Sequence, residues 1–177
     1  MKKLYFTRHG QTVWNVENKI CGETDIELTA KGHKQAIEVG KLIAEKQLQI
    51  DEILYSPLVR AKDTAAHISQ ITGIPMREEA RLKEQCFGKY EGTARNGEEF
   101  KKDKANFINS YDGGETMLKL AHRVYSLLDE IKADDKTYLL VAHNGISRVI
   151  YSYFYDMKND EFASFGIKNC DILEFDL

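Results

Sequence analysis

Short apolar runs that stop abruptly at polar residues constrain this chain more than any other feature. Leu4-Tyr5-Phe6 gives way at once to Thr7-Arg8-His9-Gly10, and Ile53-Leu54-Tyr55 to Ser56-Pro57. Tyr138-Leu139-Leu140-Val141-Ala142 ends in the same way at His143-Asn144-Gly145. Ile74-Pro75-Met76 is a shorter run of this kind, and residues 170–175 read as a last strand. Such runs, bounded by turn formers, are the pattern of strands buried on both faces. Between them lie amphipathic stretches. Thr29 is placed to N-cap a helix to about Gln47, with Ala36, Val39, Gly40 and Ile43 on one face. Pro57, a favoured first helical residue, opens a helix to Thr72. Met117, Leu120, Val124, Leu127, Leu128 and Ile131 keep three-four spacing through a helix over 115–133, and another is expected from Ile146 to about Tyr155. Alternating strands and helices predict an α/β chain, a three-layer α/β/α sandwich around a mostly parallel sheet.

Size and charge narrow the function classes. The 177 residues suit one domain over 1–177. A net charge of -3 with the two signs interspersed argues against nucleic acid or a membrane surface as partner. The chain enters its first strand directly after Met1-Lys2-Lys3, and no span approaches transmembrane length. Cys21, Cys86 and Cys170 are odd in number and widely spaced, so they read as free thiols in a reducing cytoplasm. Residues 89–114 are charged, weakly patterned and punctuated by glycines. The segment 85–114 is expected to lie over a pocket as a lid.

In open α/β sheets the ligand site lies beyond the carboxyl ends of the strands. The residues just past the first four predicted strands include Arg8 and His9, then Arg60, then Glu84, then His143. Two arginines, two histidines and one carboxylate should therefore share one rim. Cations do not collect without an anion, since two unit charges ~4 Å apart repel by about 4 kcal/mol at an effective dielectric near 20. A phosphoryl dianion relieves that repulsion and matches the guanidinium forks. Asn15 and the backbone N–H groups around Asn144 and Gly145 would add neutral donors. No Ser or Cys stands there beside a base, but a neutral imidazole can attack phosphorus without first losing a proton. His9 fits that role, with flanking arginines to keep it neutral. Glu84 could give a proton to the leaving alkoxide and then take one from water.

Arg8-His9-Gly10-Gln11-Thr12-Val13-Trp14-Asn15 resembles the signature of the histidine phosphatase superfamily, the phosphoglycerate mutase-like enzymes. The resemblance continues in order through most of the chain. Gly22-Glu23-Thr24-Asp25-Ile26-Glu27-Leu28-Thr29-Ala30-Lys31-Gly32 is similar to the family's G-x-x-D-x-x-L-T-x-x-G. Ser56 to Ala65 matches S-P-L-x-R-A-x-x-T-A, Glu84 to Gly92 matches E-x-x-x-G-x-x-E-G, and Gly113-Gly114-Glu115-Thr116 matches G-G-E-[ST]. The resemblance implies that His9 becomes the phosphohistidine, that Glu84 is the acid and base, and that Arg8, Asn15, Arg60 and His143 hold the phosphate. Gln11, Thr12, Gly22, Asn144 and Gly145 are its candidate further substrate contacts. It also implies a phosphoglycerate mutase-like fold and no metal or other cofactor.

The expected activity is metal-independent hydrolysis of a small phosphorylated metabolite through phospho-His9. The alternatives are a phosphoglycerate mutase-type isomerase and a non-catalytic phosphate-binding regulatory domain. Residues 85–114 are short, rich in glycine and acidic residues, and lack the arginine pair that the superfamily's mutases carry there, which favours the hydrolase. Lys89, Tyr90, Arg95, Lys101, Lys102 and Tyr111 are the segment's candidates for substrate contact. His33, His67 and His122 have no partners at metal-ligand spacing, and Lys101-Lys102-Asp103-Lys104 reads as a solvated helix face.

Overall fold

A computed structural model describes residues 2–177. In chain order it contains β1 Lys3–Arg8, α1 Val13–Val16, α2 Ala30–Glu45, β2 Glu52–Tyr55, α3 Val59–Thr72 and β3 Met76–Glu78. Then follow α4 Glu98–Lys104, α5 Met117–Ala133, β4 Tyr138–Ala142, α6 Asn144–Phe154, α7 Asn159–Ser164 and β5 Ile172–Asp176. The strands make one sheet in the order β3-β2-β4-β1-β5. Every pairing is parallel except that of β5, which runs antiparallel along β1 at the edge.

Successive side chains of a strand face opposite sides, and in this sheet both sides are apolar. Leu4, Phe6, Leu54, Tyr138 and Leu140 pack with the stripes of α5 and α6 on one face. Tyr5, Ile53, Leu139 and Val141 pack with Val39 and Ile43 of α2 and with Ala61, Ala65 and Ile68 of α3 on the other. Helices thus cover both faces, as the alternating pattern requires.

Several boundaries differ from the sequence expectation. Pro57 does not open α3: Ser56 still donates its N–H to Val141 O at 3.1 Å, so the sheet holds the chain extended and Leu58 becomes the N-cap. The third strand lies at Met76–Glu78, beyond Pro75, which has no N–H for the ladder and accepts from Ile53 N–H instead. The helix expected from Glu115 starts at Met117, because the Thr116 side chain caps it by accepting from Lys119 N–H. β4 passes into α6 through His143 alone, two residues earlier than expected. Two short helices, α1 and α7, lie where connections were expected, and α4 carries the Lys101–Lys104 run that was read as a helix face. Segment 85–114 is packed rather than irregular, with Phe87, Tyr90, Phe100 and Tyr111 buried together against Ile20. All three cysteines are free.

The loop leaving β1 touches the start of α2 without intervening side chains. A Cβ on Gly32 would lie 2.1 Å from Gln11 O, and one on Gly10 would lie 2.4 Å from Gly32 O. Only glycines allow this approach. Gly32→Ala is therefore expected to lower stability by about 1–3 kcal/mol through overpacking, read as a lower urea midpoint at constant slope. An unchanged midpoint would show that the loop yields at no cost.

Candidate active site

The site follows from strand register. Arg8 pairs with Ala142 as β1 and β4 end together, and His9 N–H donates to Ala142 O at 3.0 Å. His9 and His143 therefore leave adjacent strands side by side, with ring centroids 5.2 Å apart. β2 ends on the other side of β4, where Ser56 Oγ lies 2.6 Å from His143 Nε2.

Both imidazoles are buried. His9 Nδ1 is 2.7 Å from Gly10 O, so it carries the ring proton and leaves Nε2 with a free lone pair. Burial, then the charges of Arg60 and Arg8, holds the His9 imidazole well below the ordinary histidine range. Burial, Arg60 and His9 do the same to His143. Arg60 rises from the first turn of α3 and donates to Thr24 O at 2.9 Å and to Gly22 O at 2.6 Å. Thr64, one turn later, donates to Arg60 O and accepts Gly10 N–H, tying α3 to the loop after β1. Arg8 donates to Ile167 O at 2.7 Å, and burial with Arg95 and Arg60 nearby brings its guanidinium down to about 10.

Glu84 approaches from the far side. Its carboxylate accepts Gln85 N–H at 2.9 Å and Gly145 N–H at 2.8 Å, in the first turn of α6. A Cβ at position 145 would sit 2.3 Å from Glu84 Oε1, so this approach needs glycine. Each carboxylate oxygen keeps a further acceptor position for the pocket. Among the neighbouring acids, Glu79 is paired with Arg81. Glu91 accepts from the N–H groups of Gly22, Glu23, Thr24 and Phe87 and from the Thr24 hydroxyl, so it is a structural hub.

Arg8, His9, Asn15, Glu84, Asn144 and Gly145 line one cleft at this edge of the sheet. Arg60 and His143 are fully buried and are not among the residues that line it; the His143 ring lies 5.2 Å from that of His9. Gln11 borders a broader cleft that continues outward past Arg8, Asn15 and Asn144. Thr12 caps α1, and Gly22 is held between Glu91 and Arg60; neither lines the pocket. Gly145 N–H is taken by Glu84 and is not the open anion donor expected from its place at a helix N-terminus.

Three residues at the site, Asn169, Arg148 and Lys104, were missed or misjudged from sequence, whereas Arg95 was a candidate and lines the pocket. Asn169 donates to His9 O at 2.8 Å and to Asn15 Oδ1 at 3.2 Å, which leaves the Asn15 NH2 for a ligand. Arg148 of α6 and Lys104, the last residue of α4, line the pocket together with Arg95. Lys104 carried no signal of its own in the sequence: it is half-buried, whereas Lys101, one turn earlier on the same helix, is exposed. Of the other segment candidates, Lys89 pairs with Glu99, Lys101 with Glu98, and the Tyr90 hydroxyl with Asp103. His33 and His67 meet each other across α2 and α3, with Nδ1 2.9 Å from Nε2.

Four buried side-chain nitrogens lack a partner among the described residues: Arg8 Nε, Arg60 Nε, His143 Nδ1 and Arg148 Nε. All belong to this region, and buried polar atoms are rarely left unpaired without a functional reason. The arrangement can hold an anion against a neutral imidazole and present a carboxylate to the same group. The model of the histidine phosphatase superfamily, branch 1, matches residues 4–177. The chain belongs to the histidine phosphatase superfamily. Its fold is phosphoglycerate mutase-like, and it is a phosphatase or mutase of that superfamily. It is 32% identical over 186 residues to a probable phosphoglycerate mutase, GpmB, of Salmonella choleraesuis, covering 99% of this chain and 85% of that protein. A phosphoserine phosphatase from Entamoeba histolytica, solved with 3-phosphoglyceric acid, superposes with a TM-score of 0.84 at 30% identity, covering 99% of this chain and 90% of that one. A mycobacterial glucosyl-3-phosphoglycerate phosphatase gives 0.85 at 25% identity, covering 98% and 89%.

The two depressed histidines have a consequence for pH. The unfolded chain takes up these protons near pH 6.5, whereas the native state does not. Stability should therefore fall as pH drops below about 6.5. In an NMR titration both rings should stay neutral as the pH passes below 6 and the native signals persist. A His9 midpoint near 6.5 would contradict this electrostatic account.

Proposed function

We propose that this protein hydrolyses small phosphomonoesters, without a metal ion, through a phosphohistidine on His9. The observation that carries this reading is the state of His9: buried, held neutral, and with Nδ1 tied to Gly10 O so that Nε2 is the free nucleophile. Nε2 forms a bond to phosphorus while the ester P–O bond breaks and its electron pair leaves with the alcohol oxygen. Glu84 donates the proton that this oxygen needs. Water then attacks phosphorus, Glu84 takes its proton, the P–N bond breaks and inorganic phosphate leaves. Arg8, Arg60, His143 and Asn15 hold the phosphoryl oxygens through both steps. The guanidinium charges supply the field that a divalent ion would otherwise provide. Segment 85–114 acts as the lid, anchored by its aromatic cluster and by Glu91. Hydrolysis is favoured over transfer because the pocket opens past Arg8, Asn15 and Asn144 into a broad cleft through which water can reach the phosphohistidine.

The second reading, a mutase, is favoured by the similarity to the GpmB protein and by the four cations, Arg8, Arg95, Lys104 and Arg148, that line the pocket. Brief reaction with an aryl phosphate in the presence of EDTA, followed by alkaline quench, should place the phosphoryl group on the peptide holding His9. His9→Ala should cost several orders of magnitude in turnover. Label on a Ser or Cys, or activity abolished by EDTA and restored by one divalent ion, would overturn the mechanism. Offered 3-phosphoglycerate with catalytic 2,3-bisphosphoglycerate, the enzyme should release phosphate faster than it forms 2-phosphoglycerate; the opposite ratio makes it a mutase.

Glu84→Gln separates the acid from the phosphate ligands. An alkyl leaving group needs its proton and an activated phenolate does not. The variant should therefore lose far more activity on an alkyl phosphate than in phosphorylation of His9 by an aryl phosphate. Equal losses would assign the acid to another residue.

A further inference from the structure

The two buried imidazoles of the site make opposite kinds of hydrogen bond. His9 Nδ1 lies 2.7 Å from Gly10 O, a group that can only accept, so the ring proton sits on Nδ1. His143 Nε2 lies 2.6 Å from Ser56 Oγ, a group that can donate or accept. The surroundings of Ser56 decide which it does. Its backbone N–H donates to Val141 O at 3.1 Å, so the ladder between β2 and β4 holds it beside the residue that follows β4. Its Oγ already accepts from Leu58 N–H at 3.4 Å. Ser56 is fully buried, and among the described residues His143 Nε2 is the one acceptor for its hydroxyl proton.

The two possible directions of this bond are not equivalent. If Nε2 donated to Oγ, the Ser56 hydroxyl proton and the Nδ1 lone pair would both be buried without partners. If Ser56 donates to Nε2, only one group is left over, the Nδ1–H. His143 Nδ1 is indeed buried without a partner among the described residues. Burial and the charge of Arg60 keep the ring neutral, so Nε2 retains the lone pair that accepts from Ser56. A buried donor of this kind is costly unless a ligand completes it.

We propose that Ser56 is a positioning residue: its hydroxyl donates to His143 Nε2, fixes the ring proton on Nδ1, and so makes His143 a hydrogen-bond donor to a phosphoryl oxygen. This rests on the phosphoryl group occupying the His9 pocket. Both rings then carry the proton on Nδ1 and differ in which nitrogen is free. Gly10 O occupies the Nδ1–H of His9 and leaves a lone pair to attack phosphorus, whereas Ser56 occupies the lone pair of His143 and leaves an N–H to hold oxygen. With ring centroids 5.2 Å apart, both are within reach of one phosphoryl group. Ser56 gives its one proton to the ring, so it acts through His143 and does not meet the substrate.

Ring-nitrogen chemical shifts separate a protonated nitrogen from one with a free lone pair, so NMR of isotopically labelled protein reads the tautomer directly. His143→Gln assigns the signals. In the wild-type protein at neutral pH, without ligand, His143 should carry its proton on Nδ1 and none on Nε2. Inorganic phosphate is the probe of the free N–H: it should move the Nδ1 proton downfield while Nε2 stays unprotonated. Ser56→Ala should place the proton on Nε2 in a large share of molecules. Its affinity for phosphate should fall about two- to tenfold, the scale of one hydrogen bond. Its kcat/KM should fall by one common factor on an alkyl and an aryl phosphate, unlike the leaving-group-dependent loss in Glu84→Gln. Ser56→Thr keeps the hydroxyl and should keep the wild-type tautomer and affinity. A proton on Nε2 of His143 in the wild-type protein would overturn the proposal whether or not the variants fold. It is equally overturned if phosphate leaves the Nδ1–H signal unmoved, or if Ser56→Ala changes neither tautomer nor affinity. If the tautomer, its dependence on Ser56 and the response to phosphate all hold while the wild-type protein hydrolyses nothing, the role of Ser56 stands and the hydrolase reading fails.

Discussion

The hydrogen bond from His9 N–H to Ala142 O closes the last rung between two parallel strands, and the whole site is built outward from it. It sets two imidazoles side by side at the carboxyl edge of the sheet. Slipping the pairing by one residue would turn every side chain of β1 to the opposite face. That would exchange Tyr5 with Leu4 and Phe6 between two differently shaped cores. Packing on both faces therefore fixes the chemistry at the strand ends.

On this frame the fold gathers guanidinium groups and two buried imidazoles around one cleft. The arrangement has a cost: three guanidinium nitrogens have no partner among the described residues, and burial with nearby guanidinium charge holds both histidines well below the ordinary range. The same features make the site reactive. A neutral His9 is a nucleophile without prior deprotonation, and unpartnered donors need no reorganisation to meet an anion. The buried strands and helices stabilise the chain enough to hold this charge in place.

Two distant pieces of chain complete the rim. Glu91 gathers the N–H groups of the 22–24 turn, whose carbonyls in turn hold Arg60, so segment 85–114 orients a guanidinium that it does not touch. From the other end, the loop before β5 places Asn169 on His9 O and Asn15, and Ile167 on Arg8 and Asn144. Residues more than one hundred positions apart thus share one pocket.

What the sequence determined by itself was local and periodic. The buried strands, the stripes of α2 and α5, the Thr29 cap and the polar breaks carrying Arg8-His9 and His143 were legible because each depends on neighbours within a few residues. Glu84 was legible through its motif rather than through its charge. The tertiary structure alone decided which of the remaining polar groups were free to act. Arg148 sits in an apolar helix and Lys104 in a run that reads as solvated, and only the packing of α4 and α6 around one cleft leaves both without an ion pair among the described residues. Gly145 N–H is promised to an anion by its place at a helix N-terminus, yet the fold brings Glu84 to it first. Propensity and hydrophobic period are properties of a short stretch of chain. Whether a buried charge or a backbone donor has a partner depends on which distant segment packs against it.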